Sequence, residues 1–339
     1  MVQVTLRDIA DHLNMSVSTI SKALKGYSDI SKETRELILA TAEKMNYVPN
    51  TSAVNLRTRQ TKTIGVVVPS TEHQFFSKIL SGIIDEAEKF GYLVIILQSN
   101  ENYNIEKRQL QLLNQNRVDG ILISLSNETH RFAHIEKLME AGMPVVLFDK
   151  TTKLLSCSKV AIDDRKAAYA AVECLLKKGY RRIAHFRGPH IPQVSIDRFL
   201  GYKQALADYN IPFDASLVYV CDKNDDFKDG YDNAKLLMQE HKDVDAIFTI
   251  TDVVAVGVMK YFKDMKISIP EDIALFGFSN WFMAGVVTPS LSSVDQPAFD
   301  MGKISAQILF EEIKAQKSKQ KIAPRDVILP TSLKIRESI

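Results

Sequence analysis

Continuous apolar runs of strand length recur along the chain from Thr63 onward, and helical patterns alternate with them. The first four runs are "TIGVVVP", "LVIIL", "VDGILISL" and "MPVVLFD". Strands that are apolar on both faces and alternate with helices are typical of a parallel sheet, because the crossover helices cover both sides of it. The sequence therefore predicts an α/β fold with parallel sheets for most of the chain.

The same alternation then starts again. The second set of runs is "RRIAHF", "LVYVC", "VDAIFTI" and "DIALFGF", so "VDGILISL" and "VDAIFTI" occupy equivalent places in two sets. This repeat predicts a two-lobed unit over residues 61–339 with a cleft between the lobes. A single large α/β domain is the alternative. We expect one lobe to contain about 61–162 and 294–320, and the other about 163–293 and 321–339.

The composition is ordinary for a globular protein, with 45% hydrophobic and 25% charged residues among 339. No apolar run is long enough to cross a bilayer, and the N-terminus lacks the pattern of a secretory signal. The cysteines are odd in number and widely spaced, which fits free thiols better than disulfides or a zinc site. They are Cys157, Cys174 and Cys221. We therefore expect a cytoplasmic protein that does not contact a membrane.

The first sixty residues follow a different pattern and predict three helices. The stretch "VTLRDIADHLNMSVSTISKAL" contains two short amphipathic helices, which Thr5 and Ser16 can cap, and a third helix begins at Ser31. Apolar residues at helical spacing can form a shared core. In the first two helices these are Leu6, Ile9, Ala10, Leu13, Ile20, Ala23 and Leu24. We expect this headpiece to span residues 1–49, with a hinge and linker over residues 50–60.

Two helices joined by a tight turn, the second with a polar start, are typical of a helix-turn-helix that docks in the major groove of DNA. The residues opposite the apolar stripe of the second helix are Ser18, Ser21, Lys22 and Lys25. Val17 lies at the edge of that stripe and can either join the core or contact a thymine methyl group. Residues 1–62 hold nine Lys/Arg against six Asp/Glu, a weakly basic balance. The alternative is a small helical subdomain with no role in DNA binding.

Several motifs along the chain occur together in one known family. They are "ISKETRELILATAEKMNYVPN", "AVNLRTRQTKTIGVVVP", "DRFLGY", "ITDVVAVGVM", "IPEDIALFGFSN" and "PSLSSVDQP", which follow the N-terminal stretch in this order. Over essentially its whole length the chain resembles the lactose-repressor/galactose-repressor (LacI/GalR) family. The resemblance implies a headpiece joined by a hinge helix to a periplasmic-binding-protein-like effector domain. It also implies a homodimer that binds a palindromic operator, most simply as a ligand-controlled repressor of carbohydrate-utilisation genes.

The resemblance further implies which residues contact the operator. Base-reading side chains would be Val17, Ser18 and Lys22. Residues that position the headpiece on the DNA backbone would be Ser16, Thr19, Ser21, Ser31, Thr34, Tyr47 and Asn50, and Thr5 is placed with the DNA-binding residues. In the hinge helix, Leu56 would enter the central minor-groove step and Arg57 would lie beside it. An aliphatic wedge of this kind kinks the duplex, and so short a helix should fold only on DNA.

For the effector cleft the resemblance points to one or two aromatic rings and several polar side chains. They are Phe75, Phe76, Asp149, Arg198, Thr251 and Asp252. The guanidinium of Arg198 can hold two ring hydroxyls or a carboxylate, and a surface salt bridge is its alternative role. Asp252 can instead cap the helix that follows it, and Phe227 can either cover the cleft or join the core.

Ser279 departs from the family pattern. After "LFGF" the family usually carries an aspartate that binds ligand hydroxyls, whereas this chain has Ser279 followed by Asn280. A hydroxyl accepts hydrogen bonds more weakly than a carboxylate, so a familiar sugar ligand cannot be transferred directly. A sugar, a sugar phosphate and a nucleoside-like molecule all remain open. Trp281 can either stack on the ligand or serve packing.

Catalytic patterns have little support. His130 and His134 stand four residues apart on a predicted helix, but no third metal ligand is evident and we expect both to be solvated. No dinucleotide or nucleotide-phosphate loop follows a predicted strand, and no nucleophile elbow is present. We therefore expect no catalysis, metal or cofactor. A transport-type sugar-binding module and an α/β enzyme with an appended DNA-binding head are the alternatives.

Overall fold

The computed structural model describes residues 4–47, 60–223, 225–320 and 322–339 of the chain. The chain divides into two compact units between Thr61 and Lys62, and each unit is described by itself. No described helix is both long and apolar enough to cross a membrane.

The first unit consists of the three predicted helices. They are α1 (Leu6–Leu13), α2 (Val17–Leu24) and α3 (Lys32–Lys44). Asn14 ends α1 in the left-handed conformation, with φ of 50°, and its N–H donates to the Ala10 carbonyl. This ending reverses the chain within two residues, so that α2 can pack against α1. The buried core is Ile9, Ala10, Ile20, Ala23, Ile38 and Ala42.

The second unit begins with a sheet of six strands, each parallel to its neighbours. In order across the sheet they are β11 (Asp326–Leu329), β5 (Ser158–Ile162), β4 (Val145–Phe148), β3 (Gly120–Ile123), β1 (Thr63–Val68) and β2 (Leu93–Gln98). The helices that follow the first three strands in sequence are α4 (Gln74–Lys89), α5 (Tyr103–Gln115) and α6 (Ala133–Glu140). Every residue of β3 and β4 is buried, as the continuous apolar runs predict.

A second six-stranded sheet forms the other lobe. Its strands, in order, are β12 (Ser332–Lys334), β10 (Ser292–Asp295), β9 (Ala274–Ser279), β8 (Ala246–Thr249), β6 (Ile183–Arg187) and β7 (Val218–Val220). Only β12 is antiparallel to its neighbour. The helices of this lobe are α7 (Asp164–Lys177), α8 (Gln193–Asp208), α9 (Asp226–Glu240) and α10 (Asp252–Met265). Two parallel-stranded lobes confirm the predicted fold class.

The lobe boundaries need two corrections. Strand β10 pairs with β9 through Asp295, so the chain returns to the first lobe after this strand and not at residue 294. Strand β11 was expected in the second lobe with the rest of 321–339, but it pairs with β5 in the first sheet. The apolar pattern marks β11 as a strand without indicating which open sheet edge receives it. That choice depends on where the preceding helix, α11 (Ala298–Lys317), places its end.

Glycines allow pairs of covering helices to approach closely. A Cβ atom at Gly82 in α4 would lie 2.1 Å from a carbonyl oxygen of α11, and one at Gly302 in α11 would lie 2.0 Å from a carbonyl oxygen of α4. The same reciprocal arrangement joins α9 and α10 at Gly230 and Gly257. Any side chain at these positions would push the helices apart, so the absence of a Cβ sets the distance between them.

Gly302→Ala should destabilise the protein, because the added methyl group overlaps backbone atoms that cannot rotate away. We expect the free energy of unfolding, measured by urea denaturation, to fall by about 1–3 kcal/mol. Gly285→Ala is the control, since a Cβ there would meet no atom closer than 4.0 Å. Similar losses in the two variants would contradict the packing argument.

Candidate functional sites

The N-terminus of α2 presents a group of hydroxyls. Ser16 caps the helix, since its Oγ accepts the Thr19 N–H at 3.1 Å. The same oxygen lies 2.7 Å from the Ser18 hydroxyl and 2.8 Å from the Thr19 hydroxyl. Ser16 and Ser18 are exposed, and Thr19 is half-buried. Hydroxyls and N–H groups at a helix N-terminus are suited to binding phosphate oxygens.

Two side chains on α2 are available for contacts with base edges. Val17 is 43% exposed, so it does not belong to the headpiece core. The Lys22 ammonium lies 2.5 Å from the Asp29 carboxylate, and both side chains are about half exposed. The hydrogen bond to Asp29 raises the pKa of Lys22, which keeps the ammonium charged. Exposed pairs of this kind contribute little stability, so DNA can displace the carboxylate.

Several of the other residues expected to contact DNA make hydrogen bonds or packing contacts within the headpiece. Thr5 caps α1, with its hydroxyl oxygen accepting the Asp8 N–H at 3.3 Å. Ser31 caps α3 by accepting the Thr34 N–H at 3.2 Å. Tyr47 packs against the helical core, and this burial raises its pKa. Ser21 is half-buried on α2. Three further expected residues lie outside the described residues: Asn50, Leu56 and Arg57.

In the second unit a cleft of about 550 Å³ lies between the carboxyl ends of the two sheets. Ligands of open α/β folds bind at this edge, and the volume is that of a small-molecule site. The expected effector residues that line the cleft are Phe75, Phe76, Asp149, Arg198, Thr251, Asp252 and Ser279. Trp281 lines it as well.

Phe227 does not line the cleft. Its side chain is 42% exposed on α9, and its backbone carbonyl packs against Gly257 of α10. The alternative that Phe227 joins the core is therefore wrong, and its role in covering the cleft stays a prediction. The rotation of α9 about its axis decides where the ring points, and that rotation follows from the close crossing with α10.

Arg198 is the most constrained cation in the cleft wall. Its Nε donates to the Asp164 carboxylate at 2.7 Å, and its Nη1 donates to the Ile250 carbonyl at 2.8 Å. The guanidinium carbon lies 3.6 Å from the centroid of the Phe278 ring. Both members of the ion pair are buried, so the alternative of a surface salt bridge is wrong. No described residue engages Nη2, which leaves it for a ligand.

Thr251 and Asp252 divide two roles at the start of α10. Thr251 is the cap, since its hydroxyl accepts the N–H three residues later at 3.2 Å. The alternative that Asp252 caps this helix is therefore wrong. Asp252 is buried, and its carboxylate accepts the Ser293 hydroxyl and the Trp281 N–H, each at 2.6 Å. A Cβ at Gly277 would lie 2.1 Å from this carboxylate, so glycine leaves room for it.

Ser279 stands in an unusual backbone conformation, with φ of 112°. Such angles are costly for a residue with a side chain and concentrate at functional sites. Its hydroxyl accepts the side-chain N–H of Gln296 at 3.3 Å. Gln296 follows β10 in the segment that leads back to the first lobe, and it is buried in the cleft wall. The two residues therefore form a polar surface where the chain crosses between lobes.

Asp149 lies at the end of β4, where the chain turns into the left-handed conformation with φ of 56°. It is buried, and the Ser124 hydroxyl donates to its carboxylate at 3.3 Å. Burial raises the pKa of Asp149 to about 6, while the nearby charges of Lys150 and Arg198 oppose the rise. The carboxyl group is thus ionised at neutral pH by a small margin.

Comparison with known proteins identifies the family. Residues 61–337 match "Periplasmic binding proteins and sugar binding domain of LacI family", and residues 5–50 match "Bacterial regulatory proteins, lacI family". The chain belongs to the LacI family. A ribose operon repressor of Halalkalibacterium halodurans is 30% identical to this LacI-family chain, over 98% of the chain and 96% of the relative.

Two solved structures are also similar to this LacI-family protein. The transcriptional regulator CelR in complex with cellobiose is 26% identical with a TM-score of 0.74, and the match covers 99% of this chain and 100% of that chain. The lac repressor dimer bound to operator and the anti-inducer ONPF shares the fold, with a TM-score of 0.87 at 22% identity and coverage of 99% of both chains. The protein is a DNA-binding transcriptional regulator and not an enzyme, and the transport-type alternative is not favoured.

Sequence reasoning missed several residues of the regulator's cleft. Lys150 lies next to Asp149, and its ammonium is 2.5 Å from the Glu101 carboxylate and 2.6 Å from the Asn127 side-chain oxygen. Its position directly after Asp149, in the dipeptide "DK" at the end of the fourth apolar run, is a sequence signal that could have placed Lys150 in the cleft. Ser195 is a buried wall residue that has no comparable signal, because only the packing of α8 places it there.

Of the two histidines expected to be solvated, His130 is exposed as expected, whereas His134 is buried. His134 Nε2 lies 2.8 Å from a Glu106 carboxylate oxygen, and both side chains are buried. His130 precedes α6 and does not lie on it. Among the described residues no group of three or more His, Cys, Asp or Glu side chains could hold a metal ion. No local pattern indicates the burial of His134, because its partner Glu106 is distant along the chain.

Asp164→Asn should destabilise the regulator strongly, because it removes the carboxylate that is hydrogen-bonded to the buried guanidinium of Arg198. We expect the free energy of unfolding in urea to fall by about 3–5 kcal/mol. Asp197→Asn is the matched control, since Asp197 pairs with the exposed guanidinium of Arg165 at 3.5 Å. Its loss should be under about 1 kcal/mol. Equal effects of the two substitutions would contradict the burial argument.

Asp149→Asn should stabilise the unliganded protein above about pH 6. The pKa of Asp149 is raised to about 6 in the folded state, above its value of about 3.9 in an unfolded chain. The folded state therefore binds the proton more tightly, and wild-type stability falls as pH rises through this window. Between about pH 4 and about pH 7.5 the advantage of the variant should grow by about 2–3 kcal/mol in urea unfolding. An advantage that does not change with pH would refute the assignment.

Proposed function

We propose that this LacI-family regulator is a cytoplasmic repressor of carbohydrate-utilisation genes. It binds a palindromic operator as a homodimer, and a small carbohydrate in the cleft controls its affinity for DNA. One observation carries the proposal. The chain combines a helix that has exposed hydroxyls at its start and Lys22 in its last turn with a polar cleft of about 550 Å³ in a separate unit. A ligand-controlled DNA-binding protein requires both elements.

In this proposal α2 lies in the major groove. Val17, Ser18 and Lys22 contact base edges, while Ser16 and Thr19 bind phosphate oxygens. Lys22 exchanges its exposed Asp29 partner for an acceptor on a base. The residues that fix the position of the headpiece on the backbone are Thr5, Ser21, Ser31, Thr34 and Tyr47.

The hinge assignment rests on the sequence. Asn50 begins the expected helix, Leu56 is the aliphatic wedge, and Arg57 supplies positive charge beside it. Insertion between base pairs kinks the duplex and widens the surface that the protein can cover. Two hinges from a dimer would meet at the centre of a palindrome.

The cleft chemistry supports a sugar as the ligand. Phe75 offers a half-buried ring to the apolar face of a pyranose, while Arg198, Asp149 and Asp252 offer charged partners to its hydroxyls. The names of two relatives refer to sugars, one to a ribose operon and the other to a complex with cellobiose. The cleft volume suits a ligand of that size.

Ligand binding would act by favouring one arrangement of the two lobes. Three chain segments connect the lobes: the links from β5 to α7, from β10 to α11, and from β11 to β12. Across the cleft mouth the Gln74 side-chain oxygen accepts the Phe282 N–H at 2.7 Å. A ligand that contacts Asp149 in the first lobe and Arg198 in the second would stabilise one lobe orientation over others and so shift operator affinity.

An exposed apolar surface on the first lobe supports the homodimer. Leu93 and Ile96 are exposed on β2, the edge strand of the first sheet, and Ile84 is exposed on α4 beside it. Apolar residues along an open sheet edge are a liability in a monomer and are typical of an interface.

Selection of duplexes from a random pool by the purified protein tests the proposal. We expect enrichment of a palindrome with two half-sites, and reduced retention of that duplex when a sugar that fits the cleft is added. No enrichment with or without sugars would contradict the DNA-binding surface. Enrichment of an isolated half-site would contradict the dimer.

Lys22→Ala should relax base preference at one position of each half-site by about 1–3 kcal/mol, because a lysine contact with a base edge is lost. Competition between the selected operator and single-base variants measures this change. Lys32→Ala is the control, since Lys32 is exposed at the start of α3 and should not alter base preference. If Lys22→Ala weakens binding to every sequence equally, then Lys22 contacts only phosphate.

A further inference from the structure

Asp149 carries a charge that its surroundings do not compensate. The charged groups near it are two cations, Lys150 and Arg198, and two carboxylates, Glu101 and Asp164. Each cation is already paired with one of these carboxylates, Lys150 with Glu101 at 2.5 Å and Arg198 with Asp164 at 2.7 Å. The two ion pairs cancel, so the negative charge of Asp149 remains.

The cleft wall also offers Asp149 few hydrogen bonds. Among the described residues only the Ser124 hydroxyl donates to its carboxylate, at 3.3 Å. The Lys150 ammonium is directed instead to Glu101 and to the Asn127 oxygen. The raised pKa, about 6, still leaves the group ionised at neutral pH. A buried carboxylate in this condition is costly until a cation or several donors reach it.

Two further polar atoms in the wall have no partner. The side-chain Oε1 of Gln296 and the hydroxyl of Ser195 are buried, line the cleft and make no hydrogen bond with a described residue. An amide oxygen can only accept hydrogen bonds. Gln296 Oε1 and the Asp149 carboxylate are therefore both suited to a ligand that donates hydrogen bonds. A protonated amine brings three donors and no acceptor.

The cleft lining as a whole contains more acidic than basic residues, which also favours a positively charged ligand. The acidic residues of the lining are Glu72, Glu101, Asp149, Asp222, Asp226 and Asp252, and the basic ones are Lys78, Lys150 and Arg198. A phosphorylated sugar would enter a cleft of its own sign. A neutral sugar would bring no positive charge to compensate the Asp149 carboxylate.

We propose that the effector of this regulator is an amino sugar whose protonated amine binds beside Asp149. The inference rests on the proposed function, because it specifies the ligand class of the same cleft. Arg198 Nη2, Ser195 and Ser279 then remain for the hydroxyls of the ring, and Gln296 Oε1 accepts from the amine or from a hydroxyl.

Binding of charge-matched ligands to the full chain tests the inference by calorimetry. The sets are glucose, glucosamine and glucose 6-phosphate; the corresponding forms of galactose and mannose; cellobiose with fully deacetylated chitobiose; and a linear diamine. In at least one set the amine should bind about tenfold or more tightly than its neutral parent, and the phosphate should bind more weakly than the parent. Equal binding of parent and amine in every set, or no binding of any amine at millimolar concentration, overturns the inference. Equal binding of the linear diamine overturns the sugar part of it.

Asp149→Asn locates the amine. This substitution removes the charge and nearly conserves the shape, so the ratio of amine affinity to neutral-parent affinity should fall from about tenfold to about one, whatever change the two affinities share. Glu271→Gln is the control, because it removes the same charge from an exposed position of the second lobe and should keep the preference. A preference that survives Asp149→Asn shows that the amine binds elsewhere.

Operator retention measured with the same ligands separates this inference from the proposed function. If a neutral sugar changes operator occupancy and no amino sugar does, then the inference fails and the proposed function stands. If no operator is selected at all, then the proposed function fails, while the calorimetric comparison of amine and parent still decides the charge of the ligand.

Discussion

The second lobe and its cleft depend on the buried ion pair between Arg198 and Asp164. The guanidinium of Arg198 joins the first turn of α7, through Asp164, to the end of β8, through the Ile250 carbonyl, and to the Phe278 ring on β9. Helix α7 begins where the chain leaves the first lobe, so the pair also positions that link. Burial of two charges is costly, and the additional contacts of the guanidinium offset this cost.

The same molecule uses ion pairs in two different ways. The Arg198–Asp164 pair is buried and holds structure together, whereas the Lys22–Asp29 pair is half exposed and easily exchanged. The first suits a scaffold that must persist in every functional state. The second suits a lysine that must leave its partner when DNA arrives. Asp149 is a third case, because its buried carboxylate is not paired with a cation. This unpaired charge makes the unliganded protein less stable. It also gives a cationic ligand a group to bind.

Local chemistry made much of the fold predictable. Thr5, Ser16 and Ser31 cap their helices as their residue types predict, because a side-chain oxygen before an amphipathic stretch satisfies free N–H groups. The paired runs "VDGILISL" and "VDAIFTI" correctly indicated two lobes. Asp149, Thr251 and Ser279 line the cleft because they lie at or just after the ends of strands, and the carboxyl ends of parallel strands meet at one edge.

The sequence by itself determined the elements, their repeat and the edge at which a site would form, since each depends on residues that are near one another along the chain. Only the tertiary structure decided which sheet receives β11, that Phe227 faces solvent, that His134 is buried against Glu106, and that Lys150 and Arg198 are occupied by carboxylates other than Asp149. These outcomes depend on contacts between residues far apart in sequence. The direction of a side chain and the identity of its partner are set by helix rotation and strand pairing, which no local pattern encodes.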